Sequence, residues 1–159
     1  MTTPFPFVAG AVLNASDLNA LGTWDESSWT SPLSNVTIGN GTETARYMRV
    51  GTGTEVGLVV FYYKLLFGST TSVSGDVQIV YPIEALDSRQ AASGASCFFE
   101  DSNSVDIFGG IFRVSQTNGR LSAYTSSGSF VARDTMDATT PFAWASGDTL
   151  TVVGYYQPS

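Results

Sequence analysis

Among the groups that could move protons or attack a substrate, this 159-residue chain has fourteen Asp and Glu residues, one Cys and no His. Acid–base catalysis wants two positioned carboxylates or a tuned His. The close acidic pairs are Asp25/Glu26, Glu100/Asp101 and Asp134/Asp137. Each falls in a polar stretch, where a solvated carboxylate is the ordinary state. Glu100-Asp101-Ser102-Asn103 offers hard oxygens, but it lacks the spaced ligand series and the Gly of a calcium loop. A zinc site has too few soft ligands, and no Gly-rich phosphate loop followed by Lys occurs. Cys97 has no second Cys for a disulfide and no His to activate it. Beside Phe98 and Phe99 it reads as a small buried apolar residue. No catalytic residue, metal or cofactor is expected, and the chain reads as a non-enzyme.

Binding chemistry is better supplied. Trp24, Trp29, Tyr47 and Tyr124 offer rings with a polar handle, suited to stacking on a sugar. A carbohydrate-binding module that recognises a host receptor is therefore the alternative reading. Trp24 and Trp29, however, precede the β-rich part, where packing is the expected job, and Trp144 reads as core. Nucleic acid is not an expected partner. The net charge is −7, and Arg46, Arg49, Lys64, Arg89, Arg113, Arg120 and Arg133 are scattered without a basic stripe. The longest apolar run, Leu58 to Leu66, is interrupted by Lys64 and is far short of the roughly 20 residues of a membrane span. The N-terminus does not read as a signal peptide.

The elements that must carry these residues follow from composition and period. Hydrophobic residues make up 43% of the chain and charged residues only 13%, against about 25% in an ordinary domain. Ser, Thr, Asn and Gly fill the difference, which suits neutral loops between strands. Residues 1–24 differ from the rest. Pro4 and Pro6 hold the chain extended around Phe5. Asn14 can cap a helix of about two turns that Gly22 ends, with Leu18 and Leu21 on one face. So short a helix is unstable alone in water and must pack on something.

Beyond Trp24, turn signals recur from Gly39-Asn40-Gly41 to Ser146-Gly147-Asp148. They separate strands expected near 44–50, 54–67, 76–81, 95–100, 105–114, 120–125 and 149–156, with Asn118-Gly119 as the best hairpin turn. Val77, Ile79 and Tyr81 alternate with Asp76 and Gln78, as in a strand with one wet face. The 54–67 run is apolar on both parities, with Val59, Phe61, Tyr63 and Leu65 on one and Leu58, Val60, Tyr62 and Leu66 on the other. The last strand repeats this, with Val153 and Tyr155 opposite Leu150, Val152 and Tyr156, and 105–114 does so more weakly. A two-layer sandwich buries one face per strand, so a second cover is required. The N-terminal segment and the same strand of another subunit are the two candidate covers, and a homo-oligomer is favoured, with Phe61, Tyr63, Leu65, Val153 and Tyr155 as its expected contacts.

Phe5-Pro6-Phe7-Val8-Ala9-Gly10-Ala11-Val12-Leu13-Asn14-Ala15-Ser16-Asp17-Leu18-Asn19-Ala20-Leu21 resembles the N-terminal attachment segment of tailed-bacteriophage fibre and minor tail proteins. The remainder, through Val36-Thr37-Ile38-Gly39-Asn40-Gly41-Thr42, Ala45-Arg46-Tyr47, Phe67-Gly68-Ser69-Thr70-Thr71 and Pro141 to Leu150, resembles the small β-sandwich behind that segment in actinobacteriophage proteins. The resemblance implies an all-β, jelly-roll-like antiparallel sandwich knob over 25–159, borne on a 1–24 virion-attachment segment. It implies a homotrimer and a structural role on the virion as a minor tail, fibre or capsid-decoration protein. Phe5, Phe7, Val8, Leu13, Leu18 and Leu21 would dock the knob on other virion proteins, and its loops would face the host surface and its glycans.

Overall fold

The computed structural model describes residues 24, 29–30, 32–50, 57–85, 94–114, 118–127 and 130–159. The expected helix over 14–21 and the anchor residues Phe5, Phe7, Val8, Leu13, Leu18 and Leu21 lie outside them. The described residues form nine antiparallel strands and no helix: β1 (Leu33–Thr37), β2 (Thr42–Val50), β3 (Leu58–Leu66), β4 (Ser72–Val80), β5 (Gly94–Asp101), β6 (Asp106–Val114), β7 (Asn118–Ser127), β8 (Phe130–Thr135) and β9 (Thr149–Tyr156). They follow one another in the order β1-β4-β7-β6-β5-β9-β3-β2, and β8 pairs with β7 beside β4. The all-β antiparallel sandwich expected from the sequence is what forms.

The sheet curls back on itself because β1 pairs with β4 while β2 pairs with β3, so the β1–β2 and β3–β4 connections both pass from one layer to the other. These corners are tied together. The Asn40 side chain accepts from the Thr70 N–H at 2.9 Å, and the Thr71 hydroxyl donates to the Ile38 carbonyl at 2.6 Å.

Side chains from both layers meet in one core. Phe61 of β3 lies edge-on to Phe112 of β6 at 5.6 Å between centroids, edge-on to Trp29 at 5.6 Å, and against Tyr156 at 6.0 Å. At the other end Trp144 stacks on Phe67 at 4.5 Å and meets Phe142 at 4.6 Å. Tilted and edge-to-face ring pairs of this kind add about 1 kcal/mol each beyond burial. Two polar tips inside this packing find partners, as burial demands. The Trp29 indole N–H donates to the Val80 carbonyl at 2.8 Å, and the Tyr156 hydroxyl donates to that of Ile83 at 2.7 Å.

Two strands escaped the turn-and-run reading. β1 (LSNVT) and β8 (FVARDT) are short and mixed, and neither shows a run of β-formers. Asn118-Gly119 is not a hairpin turn. Gly119 sits in β7, opposite Val114 of β6 and Ile79 of β4. A Cβ there would run into the Phe112 ring. Gly110 likewise sits within β6 against Ser122 and the Cys97 sulfur, not in a turn. Close backbone approach, not chain reversal, is what these glycines provide.

Phe61 is fully buried at the junction of both layers. Phe61→Ala is expected to lower stability by about 3–5 kcal/mol, read as a fall in the midpoint of urea denaturation.

Candidate functional site

The candidate chemical groups are engaged in the fold. Asp101 accepts from the Asn103 N–H at 2.8 Å and from the Ser104 hydroxyl at 3.0 Å, and the Asn103 N–H in particular holds its carboxyl below the usual range. Asp137 accepts from the Thr139 N–H at 2.7 Å and the Thr140 N–H at 2.8 Å, and the Thr139 bond lowers its carboxyl in the same way. Glu100 accepts from the Thr149 hydroxyl at 2.9 Å. These carboxylates order turns and strand ends. Asp25 and Glu26 lie outside the described residues. Asp148 is fully buried and ties loops together: it accepts from the Ser102 N–H and hydroxyl, each at 2.9 Å, and from the Ala145 N–H at 2.6 Å. Cys97 is buried as expected, its thiol directed at the Ser122 carbonyl at 3.5 Å, and burial pushes it up to about 12. Among the described residues no group of three or more His, Cys, Asp or Glu is placed to hold a metal ion.

An open cleft of about 320 Å³ lies between the β1–β2, β3–β4 and β8–β9 turns. Asn40 and Ser69 line it, but the Asn40 amide is already spent on Ser69 and Thr70. The cleft carries no ionisable side chain.

The outer faces of the two layers differ sharply. On β4, Ser72, Ser74, Asp76 and Gln78 point outward, and Asp76 meets Arg120 of β7 at 3.5 Å. That pair is half-exposed and contributes little to stability. The other layer turns apolar residues outward. Strand registry fixes which ones: across β2, β3, β9 and β5 run the rows Met48–Val60–Tyr155–Gly94 and Arg46–Tyr62–Val153–Ser96. Val50 and Leu58 lie above them. Phe98 lies opposite Gly109 of β6, and the gap left by that glycine is filled by Tyr124 of β7, 3.8 Å from where a Cβ would be. Val50, Phe98, Tyr124, Val153 and Tyr155 are each nearly half exposed. Ile107, Val131 and Phe130, at the β5–β8 end, are 68%, 78% and 80% exposed. Scattered surface hydrophobics need no explanation, whereas a contiguous set on one face marks an interaction surface.

The expected interface is thereby corrected in part. Phe61, Tyr63 and Leu65 are fully buried in the core of the single chain and cannot meet a partner. Val153 and Tyr155 do face outward. Adjacent residues of a strand point to opposite faces. Phe61 sits opposite Gly154, so its parity is the inner one, while Tyr62 opposite Val153 has the outer one. Both parities of β3 are apolar, and pattern alone did not say which faced the core. The sequence reading also missed Phe98, Ile107 and Val131 as surface residues, whereas Tyr124, offered for sugar stacking, is exposed. Their signal is the doubling in Phe98-Phe99 and Ile107-Phe108: where two large apolar residues are adjacent in a strand, one must face outward.

Of the aromatic residues considered for sugar stacking, Trp29 is core and Tyr47 is half-buried against it. Trp24 is placed on the outer face. The Arg46 guanidinium lies 5.0 Å from its ring centroid and 4.8 Å from that of Tyr62, within range of cation–π attraction to each.

Burial holds the phenols of Tyr63 and Tyr156 well above the ordinary range, and the Glu43 carboxylate, accepting from Tyr63 at 3.2 Å, pushes Tyr63 further. Raised values favour the protonated folded state. Their stabilisation is therefore complete below the unfolded values, near pH 8.5 for Cys97 and 10 for the tyrosines, and drains away as pH climbs beyond them. The urea midpoint is expected to fall between pH 9 and 11, and Tyr63→Phe should make that fall shallower. A flat midpoint over this range would contradict the buried assignments.

Comparisons with models of protein families, with curated proteins and with solved structures find no match for this chain.

Proposed function

We propose that this chain is a structural, non-enzymatic component of a tailed-bacteriophage particle, an oligomeric and expectedly trimeric surface appendage held to the virion by residues 1–24. The observation that carries the reading is the contrast between the two outer faces: on β4 the outward residues are Ser72, Ser74, Asp76 and Gln78 with a single apolar one, Val80, at the strand end, whereas Phe98, Ile107, Tyr124, Val131, Val153 and Tyr155 are exposed from β9 to β8. A monomer surrounded by water gains nothing from Phe98, Ile107, Tyr124, Val131, Val153 and Tyr155 on its surface, and an assembly that covers them gains roughly 25 cal/mol for each Å² of apolar area removed from water.

Val105 supports the same reading. It stands at the β5–β6 turn with φ +60° and 79% exposure. A β-branched residue is disfavoured there by about 1–2 kcal/mol, and Asn or Gly would serve the turn better. An apolar contact beyond the chain gives that Val a reason. The attachment role of residues 1–24 rests on their resemblance to phage attachment segments.

In sedimentation equilibrium at micromolar concentration the full chain should have the mass of three 16.9 kDa chains. The double substitution Ile107→Asp and Val131→Asp should reduce it to one chain with an unchanged circular dichroism spectrum. A wild-type monomer at that concentration overturns the oligomer. Deleting residues 1–21 should leave the oligomer intact and abolish its incorporation into particles; undiminished incorporation overturns the attachment role.

A further inference from the structure

The apolar outer face has a second part, the β2–β3 ribbon, which the proposed oligomer surface does not use. Met48 and Val50 on β2 face outward beside Val60 and Leu58 on β3, and this strip ends at the Arg46–Tyr62 row. At that row stands Trp24, its ring, like that of Tyr62, about 5 Å from the Arg46 guanidinium. The chain upstream of Trp24 therefore leaves from one end of the apolar strip.

We infer that the β2–β3 ribbon is the docking surface for residues 11–23 of the same chain, with Leu18 and Leu21 set on Met48, Val50, Leu58 and Val60. The lengths agree. From Arg46 to Val50 the ribbon runs five residues, about 13 Å from first to last at a strand's rise. The helix expected over 14–21 runs eight residues, about 11 Å from first to last. Its apolar face, Leu18 and Leu21, needs a surface, since two turns do not hold in water unaided. The strip needs a cover. Trp24 joins the two at zero linker length, so the effective local concentration far exceeds that of any separate partner. Charge does not oppose the contact. Asp17 is the only ionised side chain in 11–23, and Arg46 is the charged residue in the strip's end row.

Docking of 11–23 takes Leu13, Leu18 and Leu21 out of the virion contact proposed for residues 1–24 and narrows that contact to Phe5, Phe7 and Val8. The inference stands without the particle assignment, because it concerns one chain only.

Cysteine pairs test it in the full chain, with the native thiol both retained and replaced by Cys97→Ala. Leu18→Cys is combined in turn with Met48→Cys, Leu58→Cys and Val60→Cys, and oxidised with diamide. At least one pair is expected to give a fast-migrating, internally cross-linked monomer in more than half of the chains on a non-reducing gel. Leu18→Cys with Ser74→Cys, on the polar outer face of β4, should stay below a tenth. Adding Trp24→Ala should lower the yield several-fold. Covalent dimers in place of the internal cross-link overturn the inference in favour of a sister copy as occupant. Equal yields with Ser74→Cys, or no cross-link at any of the three ribbon positions, overturn it outright. The sedimentation mass is read on the same samples, so failure of this contact and failure of the oligomer are distinguished.

Discussion

Successive side chains of an extended strand point to opposite sides, and in β3 and β9 both sides are apolar. One side of each strand builds the core. Val59, Phe61, Tyr63 and Leu65 of β3 and Leu150, Val152 and Tyr156 of β9 are fully buried and organise the packing of both layers. The other side is left over. No rearrangement within a two-layer fold can bury both, since a third layer would be required. Everything distinctive about the surface of this chain follows from that surplus: its asymmetry, the placement of Trp24 and Arg46, and the exposed apolar residues at the β5–β8 end.

The fold class was legible because the signals behind it are local. Val, Ile, Tyr and Phe runs between Gly-, Asn- and Ser-rich stretches located β2, β3, β5, β6 and β9 to within a few residues. β4 was caught only in its second half, because Ser72-Val73-Ser74-Gly75 reads as turn and becomes strand only through pairing with β1. β8 was missed for a related reason. It exists through its ladder with β7, and its own residues carry a weak strand preference. The glycines misled in a consistent way. At Gly110 and Gly119 the residue provides room for a ring or carbonyl of the next strand, and a sequence does not distinguish room from reversal.

The apolar outer face was half legible. That some strands were greasy on both sides could be read directly, and so could the need for a cover. Which parity faced inward could not, because Phe61 and Tyr62, or Leu65 and Leu66, are equivalent in kind. Registry decides it: Gly154 opposite Phe61 makes space for the ring on the core side, and Val153 beside Tyr62 extends the outer surface. Of the acidic pairs read as lying in polar turns, Asp137 does lie in one, whereas Glu100 and Asp101 end β5 and Asp134 belongs to β8. What could not be foreseen was that Asp148, alone among the described carboxylates, is fully buried.

That burial bears on where this molecule tolerates variation. Asp148 joins stretches remote in sequence: its carboxylate holds Ser102 and Ala145, its carbonyl accepts from the Phe67 N–H, and the Gly147 N–H next to it donates back to Phe67. Three loops at one pole of the sandwich are thus riveted through a single side chain and its peptide neighbours. An insertion in any of them strains the other two. Diversification at that pole is confined to swapping outward side chains, and changes of loop length have to accumulate elsewhere in the chain.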